Sequence, residues 1–247
     1  MCVCVCVFSS VDHGSEVKEF MMTSRLHRCK SSNTVLVCVV VNVAVVMCVF
    51  LCSDAVDLTL DPNTAHTRLV LSEENRKVTH VSESQSYPDH PERFECYPQV
   101  LCGESLTGRC YWEAEWSGDY TDISVSYKGI KRKGGSDCEF GYNEKSWSLS
   151  CSNHGFSVWH NSNSTAVSAG SGSCKRVGVF VDVSAGNLSF YSVSDTHTLT
   201  HLHTFTHTFT EPLCAGFTLN NVDSSVSLCH IKHSNTHTHT HTHTHTH

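Results

Sequence analysis

Nine consecutive residues constrain this chain most: Gly108, Arg109, Cys110, Tyr111, Trp112, Glu113, Ala114, Glu115 and Trp116. Cys110, Trp112, Ala114 and Trp116 recur at a period of two, with Arg109, Tyr111, Glu113 and Glu115 on the opposite face. That is the pattern of a half-buried strand carrying large core residues. The period of two returns at Ile123, Val125 and Tyr127. Strand-like runs also cover residues 67–72, 176–183, 187–193, 211–219 and 224–231. Ser184, Ala185, Gly186 and Asn187 separate two of them as a hairpin turn with glycine in it. Short strands joined by Gly, Ser and Asn, with few helical stretches, predict an all-β antiparallel sandwich. Trp112, Trp116, Phe140, Trp147, Phe180, Phe190 and Phe217 sit inside the predicted strands or at their edges and are expected to pack in its core.

The ends of the chain differ from its middle. Seven of the 15 cysteines fall in residues 1–52, and 12 of the 19 histidines follow Asp195. Residues 1–7 alternate Cys with Val after the initial Met, and residues 236–247 alternate Thr with His. A TG repeat in DNA translates as Cys-Val and its complement as His-Thr, so both tails read as a microsatellite in an over-extended gene model. Residues 35–52 form an uncharged apolar run preceded by Arg25, Arg28 and Lys30. That run meets the lower length bound of a membrane helix. Residues 1–53 are therefore a low-complexity leader, either an artefact or a membrane segment. Residues 233–247 are a disordered His-Thr tail, for which weak metal chelation is the lesser reading.

The middle is long enough for an independent core, since a domain of its size buries about 70% of its extended surface. Residues 54–232 carry 21 Asp and Glu against 13 Lys and Arg. That acidic balance argues against a nucleic-acid partner, which calls for a basic face.

The motifs in this middle part resemble a known family. Leu60, Asp61, Pro62, Asn63, Thr64, Ala65 and His66 form a turn-forming opener 48 positions before Gly108. Arg93-Phe94, residues 98–102, residues 108–116, residues 140–149, residues 176–182, residues 186–191 and residues 211–217 follow in order. Together they resemble a PRY segment (54–106) followed by a SPRY segment (107–232), the B30.2 module. The motifs are especially like those of the B30.2 domains of fish TRIM-type ligases, NOD-like receptors and stonustoxin-like proteins. The resemblance implies a bent, concanavalin-like jelly roll that binds a protein ligand through loops at one rim. It implies target recognition in innate-immune or ubiquitin-ligase-type signalling, or alternatively a membrane-anchored or secreted, stonustoxin-like protein.

Those loops would lie near residues 81–92, 128–139, 152–163, 169–175 and 193–201. Lys131, Arg132 and Lys133, followed by Gly134, Gly135 and Asp137, put three cations on a glycine-supported loop, which suits an acidic partner surface. His154, Trp159 and His160 form a second group, in which an exposed tryptophan would be a binding hot spot. The alternatives are a solvated turn for the cations and core packing for Trp159.

No CxxC pair of a zinc-binding RING, no GxxxxGK[ST], no GxSxG and no HExxH occurs in the chain. The expectation is a binding module without enzymatic activity, cofactor or metal. The cysteines at 96, 102, 110, 138, 151, 174, 214 and 229 lack metal-ligand spacing; several fall on predicted inward faces as small apolar residues, and all read as reduced in a cytoplasmic protein. Their even number leaves a secreted disulfide framework open. A membrane location through residues 35–52 is the other alternative.

Overall fold

The computed structural model describes residues 53–168 and 174–231. The expectations for the leader, its apolar run at 35–52 and the His-Thr tail lie outside the described residues. So does most of the anticipated loop at 169–175.

Thirteen strands and one 3-10 turn make up the described elements. The first six strands are β1 (Leu69–Ser72), β2 (Lys77–His80), β3 (Gln99–Leu101), β4 (Arg109–Ser117), β5 (Tyr120–Tyr127) and β6 (Ser146–Ser152). Then come β7 (Gly155–His160), β8 (Asn163–Val167), β9 (Arg176–Asp182) and β10 (Asn187–Val193). The last three are β11 (Leu199–Thr206), β12 (Leu213–Leu219) and β13 (Ser225–Leu228). They pair antiparallel into a seven-stranded sheet, β1-β2-β13-β4-β9-β10-β11, and a six-stranded sheet, β3-β12-β5-β6-β7-β8. This is the all-β antiparallel sandwich expected from the alternation.

The inward set of β4 is the predicted one: Cys110, Trp112, Ala114 and Trp116 are buried. Trp112 meets Phe217 of β12 edge-on across the sheets, with centroids 5.8 Å apart. Phe190 and Trp147 lie in the same cluster. Burying aromatics of this size from both sheets is what holds such a sandwich together. Phe180 departs from the expectation. It sits on the outer face of β9, half-buried beside Tyr111 and Tyr191, with the Arg109 guanidinium 5.7 Å above its ring. The reason is parity, because Val177, Val179 and Val181 take the inward positions of β9.

The outer face of β4 is not solvated either. Tyr111 is buried there and donates a 2.8 Å hydrogen bond to Glu113. The backbone of Val56 pairs with Tyr111 just ahead of the opener, and Arg109 bonds Asp54 at 2.6 Å.

The β9–β10 turn needs its glycine. Gly186 has φ +72°, and a Cβ there would lie 2.2 Å from the carbonyl oxygen of His207.

Strand direction sorts the connections into two ends. The β5–β6 connection, the β7–β8 turn, the β9–β10 turn and the β11–β12 connection lie at one end. The β4–β5 and β6–β7 turns, the start of β9, the β10–β11 turn and the β12–β13 connection lie at the other. The long β5–β6 connection also folds back over the outer face of the six-stranded sheet. There Phe140 and Ile130 pack with Phe94, Leu101 and Cys214. Gly216 makes the approach possible, since a Cβ there would stand 2.8 Å from the Phe140 ring.

Candidate functional site

The cationic loop is not a free positive patch. Arg132 is buried, and its guanidinium donates to the carbonyls of Glu92 (2.9 Å), Ile130 (2.6 Å) and Lys128 (2.9 Å). It also sits 4.8 Å over the Phe94 ring. Three backbone acceptors and a ring leave it no donor face for a partner, so Arg132 is a brace between the PRY segment and the β5–β6 connection. Lys131 pairs with Asp137, and Lys133 pairs with Glu95. Both lysines stay exposed, but each is already matched by a carboxylate.

The expected group of His154, Trp159 and His160 is divided by a strand. The stretch anticipated as one loop is two tight turns flanking β7, so His154 is exposed at one end and Trp159 and His160 are near the other. His160 points into the sandwich, stacked on Trp147 with centroids 4.8 Å apart, its Nδ1 2.8 Å from the Ser146 carbonyl. Trp159 points outward, half-buried, stacked on Tyr142 at 5.0 Å, and its Nε1 donates to Ser157 Oγ.

Trp159 belongs to a surface that no sequence motif singled out. The outward residues of β5, β6 and β7 are nearly all small and polar: Ser124 and Ser126, then Ser146, Ser148 and Ser150, then Ser157. All but Ser157 are buried, so they form a covered floor, and tyrosines and Trp159 stand over it. Asp122 lies in this floor, 5% exposed. Its Oδ1 accepts from Ser150 Oγ at 2.5 Å, and its Oδ2 lies 3.4 Å from Asn220 Nδ2. Tyr120 donates to Ser150 Oγ at 2.9 Å. Tyr120, Ser150, Ser152, His154 and Ser157 line a cleft of about 270 Å³ beside Asp122. Across the floor, burial raises the Tyr97 hydroxyl, and the charge of the neighbouring Glu139 adds to that rise.

Burial sets the electrostatics here. Desolvation raises the Asp122 carboxyl from 3.8 to about 7, and the Glu139 charge adds to that rise. The Ser150, Tyr120 and Asn220 hydrogen bonds oppose it without winning. Desolvation, helped by the Asp122 charge, pushes the Tyr120 hydroxyl up to about 12. Glu139 is also raised by burial, with Tyr97 pulling it back in part. The surface therefore holds two carboxyls short of solvent, framed by half-buried Tyr97, Tyr120, Tyr142 and Trp159. Tyr and Trp enriched around a desolvated polar centre is the composition of protein-binding hot spots.

Among the described residues no cluster of three or more His, Cys, Asp or Glu could hold a metal ion. No helix among them is long and apolar enough to cross a membrane.

Residues 58–106 match the SPRY-associated (PRY) domain family, and residues 109–231 match the SPRY domain family. Stonustoxin subunit beta of Synanceia horrida is 44% identical over 173 residues, covering 69% of this chain and 24% of that protein. E3 ubiquitin-protein ligase TRIM11 of Rattus norvegicus is 41% identical over 146 residues, covering 56% of this chain and 29% of that protein. The crystal structure of the TRIM65 PSpry domain superposes with TM-score 0.67 at 28% identity, covering 81% of this chain and all of that one. The chain spans about a quarter of the length of the stonustoxin subunit it matches.

Proposed function

The chain belongs to the PRY–SPRY family, and from that premise we propose that it recognises a protein partner on the outer face of the six-stranded sheet. The partner segment carries Arg or Lys. The observation behind this reading is the half-exposed ring of Tyr97, Tyr120, Tyr142 and Trp159 around Asp122 and Glu139. A guanidinium or ammonium seated there would lie against aromatic faces and beside carboxyls that its charge would hold ionised. This replaces the acidic partner suggested by the cationic loop, whose charges are matched within the chain. The net charge of −8 over residues 54–232 favours the same sign of partner.

The similarity to TRIM11, an E3 ubiquitin-protein ligase, supports placing such recognition in ubiquitin-ligase-type signalling, with this chain as the target-reading part. The stonustoxin likeness reaches the same domain and about a quarter of the toxin subunit, so it supports recognition rather than a toxin's action.

Selection of a random peptide library on the immobilised protein tests the reading. Enriched peptides should carry Arg or Lys and lose binding to Trp159→Ala and Tyr142→Ala, while retaining it for Lys131→Ala with Lys133→Ala. Enrichment of acidic peptides that depend on Lys131 and Lys133 would overturn it.

A further inference from the structure

All eight described cysteines are free thiols, yet two of them are placed together. Cys96, exposed, follows the Arg93-Phe94 segment, and Cys138, buried, ends the 3-10 turn Ser136–Cys138 of the β5–β6 connection. Cys96 Sγ donates to the Gly134 carbonyl at 2.8 Å, and Cys138 Sγ lies 3.7 Å from that same oxygen and 2.9 Å from the carbonyl of Gly135. The two sulfurs thus converge on one carbonyl oxygen, and Cys96 helps raise the Cys138 thiol. Their backbones are held in this relation from both sides, by Glu95 N–H to the Arg132 carbonyl at 3.1 Å and by the Lys133–Glu95 ion pair. We propose that Cys96 and Cys138 are a disulfide-forming pair that staples the PRY segment to the β5–β6 connection in an oxidising thiol pool.

The roles of the two sulfurs differ. Cys96 is the accessible one and makes the first attack. Its thiolate attacks one sulfur of a small disulfide such as oxidised glutathione, whose S–S bond breaks and releases one glutathione thiolate. Cys138, after losing its proton to water, then attacks Cys96 Sγ and expels the second glutathione thiolate. Two protein thiols lose two electrons and two protons, and one glutathione disulfide becomes two thiols. Burial, with Cys96 beside it, raises the Cys138 thiol to about 11, so the second step is slow for its chemistry and relies on Cys138 being held next to Cys96.

The bond would close the loop between residues 96 and 138. It would also fix Tyr97 and Glu139, the residues that directly follow the two cysteines and influence each other on the docking face. The other cysteines that influence one another, Cys102 with Cys214 and Cys151 with Cys174, each include a thiol sealed inside the core.

The test uses the full chain in a series of oxidised and reduced glutathione mixtures, followed by acid quenching, alkylation, tryptic digestion and mass spectrometry. The expected product joins peptide 94–109 to peptide 134–145, with fragment ions placing the bond on Cys96 rather than Cys102. The oxidised protein should melt several degrees higher than the reduced one, and Cys96→Ser should abolish both the linkage and the shift. Cys138→Ser should instead leave glutathione attached to Cys96. Accumulation of that mixed disulfide in the unsubstituted protein, or pairing of Cys96 with any other cysteine, would overturn the proposal.

Discussion

Replacing Asp122 with Asn probes the buried carboxyl at the centre of the docking face. The amide matches the protonated carboxyl in shape and can still accept from Ser150 Oγ, but it cannot ionise. Because burial raises the Asp122 pKa from 3.8 to about 7, the folded protein binds more protons than the unfolded chain between those values. Stability from this group is fully present below about pH 4 and is lost as pH rises through about 7. Each tenfold change in proton affinity is worth about 1.4 kcal/mol, so the total loss approaches about 4 kcal/mol. The Asn variant lacks this slope. Urea unfolding of both proteins at intervals from pH 4 to pH 8.5 gives the difference directly. The variant should gain on the parent by up to about 4 kcal/mol across the window and level off above it. A flat difference, or a variant that falls behind as pH rises, would refute the reasoning. The second outcome would mean that the hydrogen bonds from Ser150 and Asn220 outweigh desolvation.

Other substitutions separate scaffold from surface. Arg132→Ala should lower stability by about 2–4 kcal/mol, because one buried and two part-buried carbonyls lose a charged donor; thermal melting checks it, and an unchanged midpoint would return Arg132 to the surface. Lys131→Ala with Lys133→Ala should leave the midpoint nearly unmoved, since both ion pairs are exposed. Trp112→Ala should cost ~3–5 kcal/mol as a large truncation between the sheets, read by the same melting experiment as loss of the folded transition at moderate temperature.

Most of the fold was legible because burial of one sheet face imposes a period of two. Strand β10 falls on the residues marked by the alternation, and β4, β9 and β12 fall within a residue or two. Strands β2, β3, β6, β7, β8 and β11 lie outside the predicted runs, and for two of them the physical reason is plain. The outer strand β8 has almost no buried positions and β11 is His- and Thr-rich, so neither shows the alternation strongly. Phe180 shows the limit of reading aromatics as core, because register decides which face a residue joins.

The site was less legible. Three adjacent cations invite a charge reading, but their carboxylate and carbonyl partners come from Asp137, Glu95 and the 128–130 backbone, and Glu95 is distant in sequence. A signal for the true surface was present in Ser146, Ser148 and Ser150, and in Ser124 and Ser126, which alternate with core residues. Small polar residues at every second position mark a face that is covered by neighbours without being core. Which tyrosines stand over that face depends on the path of the β5–β6 connection, and no local pattern encodes it.

The most direct test of the docking face is calorimetric titration of a selected basic peptide into the full chain and into the Tyr142→Ala, Trp159→Ala double variant. The stacked pair forms the aromatic wall of the proposed seat, and hot-spot residues of this type are worth at least about 2 kcal/mol, or roughly thirtyfold in Kd. The expected result is a loss of that size, measured at a temperature where circular dichroism shows both proteins folded. Equal affinity for the double variant, with binding lost instead on replacing Lys131 and Lys133, would contradict it.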